Sequence, residues 1–183
     1  MKVNLKNVRL SFPNLFEPQQ VQGQGKPRYS ASFLLLPSDP QVAALNKAID
    51  EAGKEKWKDK APAILTALRA QDKVALHNGD LKADYDGYAG MYYVSAGNLV
   101  KPLVLDRDKT VLAPADGKPY GGCYVNAQIE VWAQDNQFGK RVNASLLGVQ
   151  FFKDGDAFAA GAPASADDFE DLGDPGQEQE SLA

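Results

Sequence analysis

Between residues 123 and 133 every second side chain is apolar: Cys123, Val125, Ala127, Ile129, Val131 and Ala133. This is the period of a strand with one buried face. The opposite row, Tyr124, Asn126, Gln128, Glu130 and Trp132, then meets water, and a core does not require two large rings there. Residues 134–139 read as a polar hairpin loop and residues 140–152 as a returning strand. In that strand Arg141, Asn143, Ser145, Leu147, Val149 and Phe151 form one row, and Lys140, Val142, Ala144, Leu146 and Phe152 the other. Both rows hold apolar residues, so its core side stays open. The hairpin reads as the spine of a small barrel.

Upstream, Val3 and Leu5 alternate, and Val8, Leu10 and Phe12 alternate in the opposite phase, so residues 2–12 form a strand with a bulge near Lys6 and Asn7. Residues 13–27, with Pro13 and Pro18, read as a loop, and residues 28–36 as a second strand. Ser38 or Asp39 caps a helix with Pro40 in its first turn, where a missing N–H costs nothing. Val42, Leu45, Ile49 and Ala52 make its apolar stripe. The charge run 54–60 reads as a solvated face, and residues 61–70 as a second helix with Ile64, Leu65 and Leu68 inward. Residues 72–76 suggest a short strand and 77–80 a turn. In the tyrosine-rich stretch 85–93, an inward Val94 carries Tyr92 and Tyr88 with it and turns Tyr93 and Met91 out; the opposite parity is left open. Residues 99–105 form another strand, at an edge because of Pro102, and residues 106–118 a charged connection.

After Lys153 the composition turns to Ala, Gly, Pro, Ser, Asp and Glu. Nothing alternates there, and the apolar area is too small to offset the entropy of ordering, so disorder is expected from about Phe158 onward. Charge sharpens this division. Nine of the 24 acidic residues and none of the 20 basic ones lie from Asp154 onward. The body therefore carries about +5 and the tail about −9, an asymmetry that points to a nucleic-acid or membrane surface in the body and an interaction tail at the end. With 183 residues, 44% of them apolar, the chain suits one domain with an appendage. No run of 18 apolar residues and no apolar segment behind the N-terminal charge is present, so neither a membrane span nor an export signal is expected. The lone cysteine, Cys123, reads as a core residue in a reducing, intracellular setting.

Candidate catalysis finds little support. One His and one Cys cannot assemble an ordinary zinc set, no phosphate-binding glycine loop precedes a helix, and Asp80, Asp84 and Asp86 fall where turns favour Asp. No metal, cofactor or enzymatic activity is expected.

The fold class read from these elements is mainly β with a helical insertion (α+β): an OB-fold-like, partly open Greek-key barrel over residues 1–153, the insertion at about 38–70, and a flexible acidic C-terminal tail over 154–183. Such barrels bind unpaired strands through a positive groove and aromatic rings. Candidate stacking rings are Tyr124, Trp132 and Tyr93 (or Tyr92); candidate phosphate contacts are Arg28, Lys82, Lys101, Arg107, Lys140 and Arg141. In the tail, Asp167, Asp168, Phe169, Glu170 and Asp171 set an apolar anchor among acids, a candidate partner-docking element. The alternative is a protein-interaction or virion assembly module whose outward rings meet another protein.

Three stretches, VRLSFPNLFEP at 8–18, YGGCYVNA at 120–127 and LGVQF at 147–151, resemble a phage family long catalogued as a domain of unknown function. Its members are similar in fold to the T7-type single-stranded DNA-binding proteins, and the chain looks close to the family's Enterobacter phage member. The resemblance implies a protein of phage replication and recombination that coats unpaired DNA in the host cytoplasm. It also implies a tail that recruits polymerase or helicase/primase partners. T7-type tails commonly end on an aromatic residue; this one ends Ser181, Leu182, Ala183, which shifts the candidate anchor to Phe169.

Overall fold

The alternation at 123–133 becomes a long strand, and its partners wrap it into a barrel. In this computed structural model, which describes residues 1–21, 24–158 and 169–173, the elements are β1 (Lys2–Val21), β2 (Gln24–Leu35), α1 (Pro40–Trp57), α2 (Ala61–Ala70), β3 (Leu76–Asn78), β4 (Tyr92–Asn98), β5 (Leu103–Leu105), β6 (Tyr124–Asn136) and β7 (Gly139–Lys153). Their order across the sheet is β3-β4-β2-β1-β6-β7-β5, and a parallel pairing of Gly97 with Ser145 brings β4 back to β7. Five strands thus close on themselves. Numbered along the chain, they run 1-2-3-5-4 around the barrel, the OB-fold arrangement of five strands. The two helices enter between the second and third barrel strands, as the apolar stripes require.

Cys123, Val125, Ala127, Ile129 and Val131 are buried as their spacing demands. Burial pushes the Cys123 thiol up to about 11. On β7 both apolar rows are used, in succession. Gln128 pairs with Gly148 but Ile129 with Leu146, so Leu147 is a bulge that flips the pleat. Val142, Ala144 and Leu146 point inward before it, Val149 and Phe151 after it. The hairpin is tighter than its polar sequence suggests: pairing continues to Asn136–Gly139, leaving Gln137 and Phe138 as the turn.

The expected bulge near Lys6 and Asn7 is present. Asn7 has φ of 53° and donates its N–H to Asn126 Oδ1 at 3.0 Å. A second slip occurs at Phe12, whose φ is 47°. It turns Ser11 inward and Phe12 outward, against the expectation that Phe12 would share the row of Val8 and Leu10. Buried Ser11 is satisfied by the Tyr88 hydroxyl, 3.0 Å away.

Residues 13–21 and 24–27, expected in a loop, are in strands. β1 runs on to Val21 and returns as β2, pairing Gln19 with Arg28. Three register shifts in this arm accommodate Pro13 and Pro18, which lack the N–H a regular ladder needs. The strand expected at 72–76 begins four residues later, at Leu76–Asn78, and His77 is in it rather than in a turn. β5 is confined to Leu103–Leu105 at a sheet edge, just after Pro102.

Asp39 caps α1, accepting the Gln41 N–H at 2.9 Å. Leu45, Ile49 and Ala52 pack inward, as do Leu65 and Leu68 of α2. The charge run is solvated except for Trp57, which is buried and donates its indole N–H to Asp135 at 2.9 Å.

The body does not end at Lys153. Phe158 is buried in a second small apolar cluster with Leu34, Tyr88 and Tyr93, and its N–H donates to Gly121 O at 2.9 Å. Disorder beginning at Phe158 is therefore incorrect for that residue, because its ring fills a site on the barrel. The expectation for residues 159–168 and 174–183 lies outside the described residues.

Candidate nucleic-acid interface

The β4–β7 seam is joined by one pairing, and an open groove of about 900 Å³ runs along it. Small residues, among them Ser30, Ser32, Ser95, Gly97 and Ser145, make up part of its lining. Larger groups stand on its walls. Trp132 projects from β6, 41% exposed, and its indole N–H donates to Ser145 Oγ at 3.0 Å. The indole N–H is thus fixed while much of the ring stays exposed. Phe12 and His77 stand on other parts of the wall.

Four sequence-predicted residues meet in this groove: Trp132, Arg28, Lys82 and Arg141. Arg28 comes from the β1–β2 arm, Lys82 from the 3-10 turn Gly79–Lys82 and Arg141 from β7. None of the three cations forms an ion pair among the described residues, whereas Lys140 reaches toward Asp135 at 3.9 Å.

The other candidates are placed elsewhere. Tyr93 is a correction: at 3% exposure it belongs to the second cluster and offers no open face. His77 stacks on it, ring centroids 4.8 Å apart, Tyr88 meets it edge-on at 5.1 Å, and Lys82 lies 5.2 Å from its ring. Burial, with Asp72 and Tyr88 beside it, pushes its hydroxyl up to about 12. The cause is a parity neither simple alternative described: Val94 and Ala96 enter the main core, while Tyr93 enters the smaller one. Tyr92 is half-buried. Tyr124 is on the wet row but eight residues from Trp132, beneath the Lys153 ammonium at 4.8 Å. Lys101 lies 6.0 Å from the Phe16 ring. Arg107 donates to the Phe152 carbonyl and covers that ring. In the tail, Asp167 and Asp168 lie outside the described residues; Phe169 is 71% exposed, and Glu170 and Asp171 are exposed beside it.

Sequence reasoning missed Phe12 and His77. Phe12 was hidden by a phase slip that only its φ reveals. His77, the only histidine, was assigned to a turn; it sits on β3 with Nδ1 2.6 Å from Asp72 Oδ1. Signals for both were present but indirect: a Phe followed by Pro13, and a His flanked by strand-forming Leu76.

The family described as "Enterobacter phage Enc34, ssDNA-binding protein" matches residues 1–182. A protein of Acyrthosiphon pisum secondary endosymbiont phage 1, named putative protein p50, is 48% identical over the full length of both chains. Among solved structures, the single-stranded DNA-binding protein of bacteriophage Enc34 in complex with ssDNA superposes with a TM-score of 0.71 at 31% identity, over 86% of this chain and 89% of that one. The gp2.5 single-stranded DNA-binding protein of bacteriophage T7, at 13% identity and a TM-score of 0.57 over 93% and 97% of the two chains, shares the fold. The chain thus belongs to the Enc34 family of phage single-stranded DNA-binding proteins.

Proposed function

We propose that the protein binds single-stranded DNA with little sequence preference, in the β4–β7 groove, during phage replication and recombination. The observation that carries this reading is the pinned, open ring of Trp132 in a groove with three cations that have no carboxylate partner among the described residues. Bases stack on the ring irrespective of sequence, and Arg28, Lys82 and Arg141 hold phosphates. The Enc34 protein, seen with ssDNA, supports the same ligand class.

A gel shift with labelled oligothymidylate and unlabelled competitors tests this. Single-stranded competitor should displace the probe at concentrations where duplex does not; equal displacement, or no shift, favours a protein-interaction or virion assembly module instead. On a strand short enough to fill only the groove, three phosphate contacts give a log–log salt slope of about −2.

The tail is assigned a regulatory part in this reading. As a polyanion tethered at Phe158, it competes with DNA for the basic groove, and DNA releases it to present Phe169 to polymerase or helicase/primase partners. Residues 159–183 hold seven carboxylates and no cation. Truncation after Phe158, which keeps the packed residues, should tighten DNA binding and steepen its salt dependence. Unchanged affinity would leave the tail without this role.

A further inference from the structure

Arg9, Arg107 and Lys153 form a second cluster of positive charge that shares no residue with the groove. Each cation lies over aromatic faces. The Arg9 guanidinium is 4.3 Å from the Phe158 ring and 5.8 Å from Tyr124. Lys153 is 4.8 Å from Tyr124 and 6.0 Å from Phe152, and Arg107 is 5.1 Å from Phe152. None of the three makes an ion pair among the described residues. Of the nearby acids, Asp106 is held by Lys118 at 2.9 Å, Asp154 accepts the Tyr120 hydroxyl at 2.7 Å, and Asp156 meets Arg9 through its backbone carbonyl at 2.7 Å.

Rings beneath cations hold those cations in place by their quadrupoles, and a base stacking on the same face would have to displace them. The chemistry on offer is therefore phosphate binding rather than base stacking. The cluster also lies in line with the groove. Tyr124 and Trp132 share the outward row of β6, about 26 Å apart at the rise of an extended strand. Asn126, Gln128 and Glu130 lie between them, with Asn4 paired opposite Gln128 on β1 and Gln150 opposite Asn126 on β7. Glu130 is the one carboxylate in that row of β6, and Lys2 of β1 and Ser145 of β7 pair opposite it.

We propose that Arg107 and Lys153, with Arg9 holding the rings and backbone between them, form a second station for the phosphodiester backbone of the same DNA strand, reached along the outer face of β6. This inference rests on the groove reading and extends it from a short subsite to a path along the barrel.

The experiment compares wild type with the double variant Arg107→Gln/Lys153→Gln on oligothymidylates of about 4 and about 16 nucleotides, which bracket the site sizes of a single OB-fold. For the long strand, loss of two of five contacts should bring the salt slope from about −3.5 to about −2 and weaken binding roughly tenfold. Binding of the short strand should not change. The single variant Lys153→Gln, which leaves the Arg107–Phe152 contact intact, should give about half the change in slope. An unchanged long strand, or equal weakening at both lengths, would overturn the second station. Failure of the groove reading has a different signature: Trp132→Ala would leave both lengths unaffected.

Discussion

Trp132→Ala is expected to weaken binding of oligothymidylate by about 1–3 kcal/mol, the usual worth of one base–aromatic stack, while leaving the folding transition close to that of wild type. The separation of the two effects follows from the position of the ring. It lies outside the barrel, its indole N–H bonds to Ser145 on the neighbouring strand, and Val131 and Ala133 on either side carry the inward packing of β6. Fluorescence anisotropy with labelled DNA, alongside urea denaturation, measures both. Loss of stability without loss of DNA affinity would mean that Trp132 is a structural ring on a surface strand.

The second large effect is expected at Gly122, and it is one of stability. Its φ is 105°, a region that strains L side chains, and a Cβ there would strike the Asp156 carbonyl and come within 2.9 Å of the Ala157 Cα. Gly122→Ala must therefore both strain the turn before β6 and push residues 156–158 off the body, taking Phe158 from its cluster with Tyr88 and Tyr93. A loss of about 3 kcal/mol is expected from backbone strain and vacated packing together, read as a lower urea midpoint. A midpoint equal to that of wild type would show that residues 154–158 are not held against the barrel in solution.

Much of the architecture was legible because it rests on periodicities of two and 3.6. The inward row of β6, the Asp39 cap and the stripes of both helices all follow from spacing and turn chemistry. What escaped detection sits where the period breaks. Two apolar rows on one strand, as on β7, can be read as ambiguity or as a bulge, and only the pairing of Gln128 with Gly148 distinguishes them. The same holds at Phe12, where a positive φ sends a Phe to water and a Ser to the core. The β1–β2 arm was hidden for another reason. Its prolines and polar residues have loop-like composition, and a hairpin built on irregular pairs lacks the alternation that would reveal it.

The candidate site divides along similar lines. Trp132 was recognisable as a ring that no core required, and Arg28, Lys82 and Arg141 reach the same groove from three different elements. That convergence is set by barrel closure, which no local pattern encodes. Tyr93 was misplaced because it enters a satellite cluster completed by Phe158, a residue sixty-five positions further on, in a stretch whose composition suggested no packing at all. Tyr124 keeps its wet position, but with Lys153 above it the ring serves a cation first.

The most direct measurement of the central claim is photocrosslinking of the intact protein to a single-stranded oligonucleotide carrying 5-bromodeoxyuridine, followed by mass-spectrometric mapping of the modified peptides. Crosslinks are expected at Trp132 and at the other groove rings, Phe12 and His77, and they should be competed away by unlabelled single strand. Efficient crosslinking confined to residues outside the β4–β7 groove, with Trp132 unmodified, would contradict it.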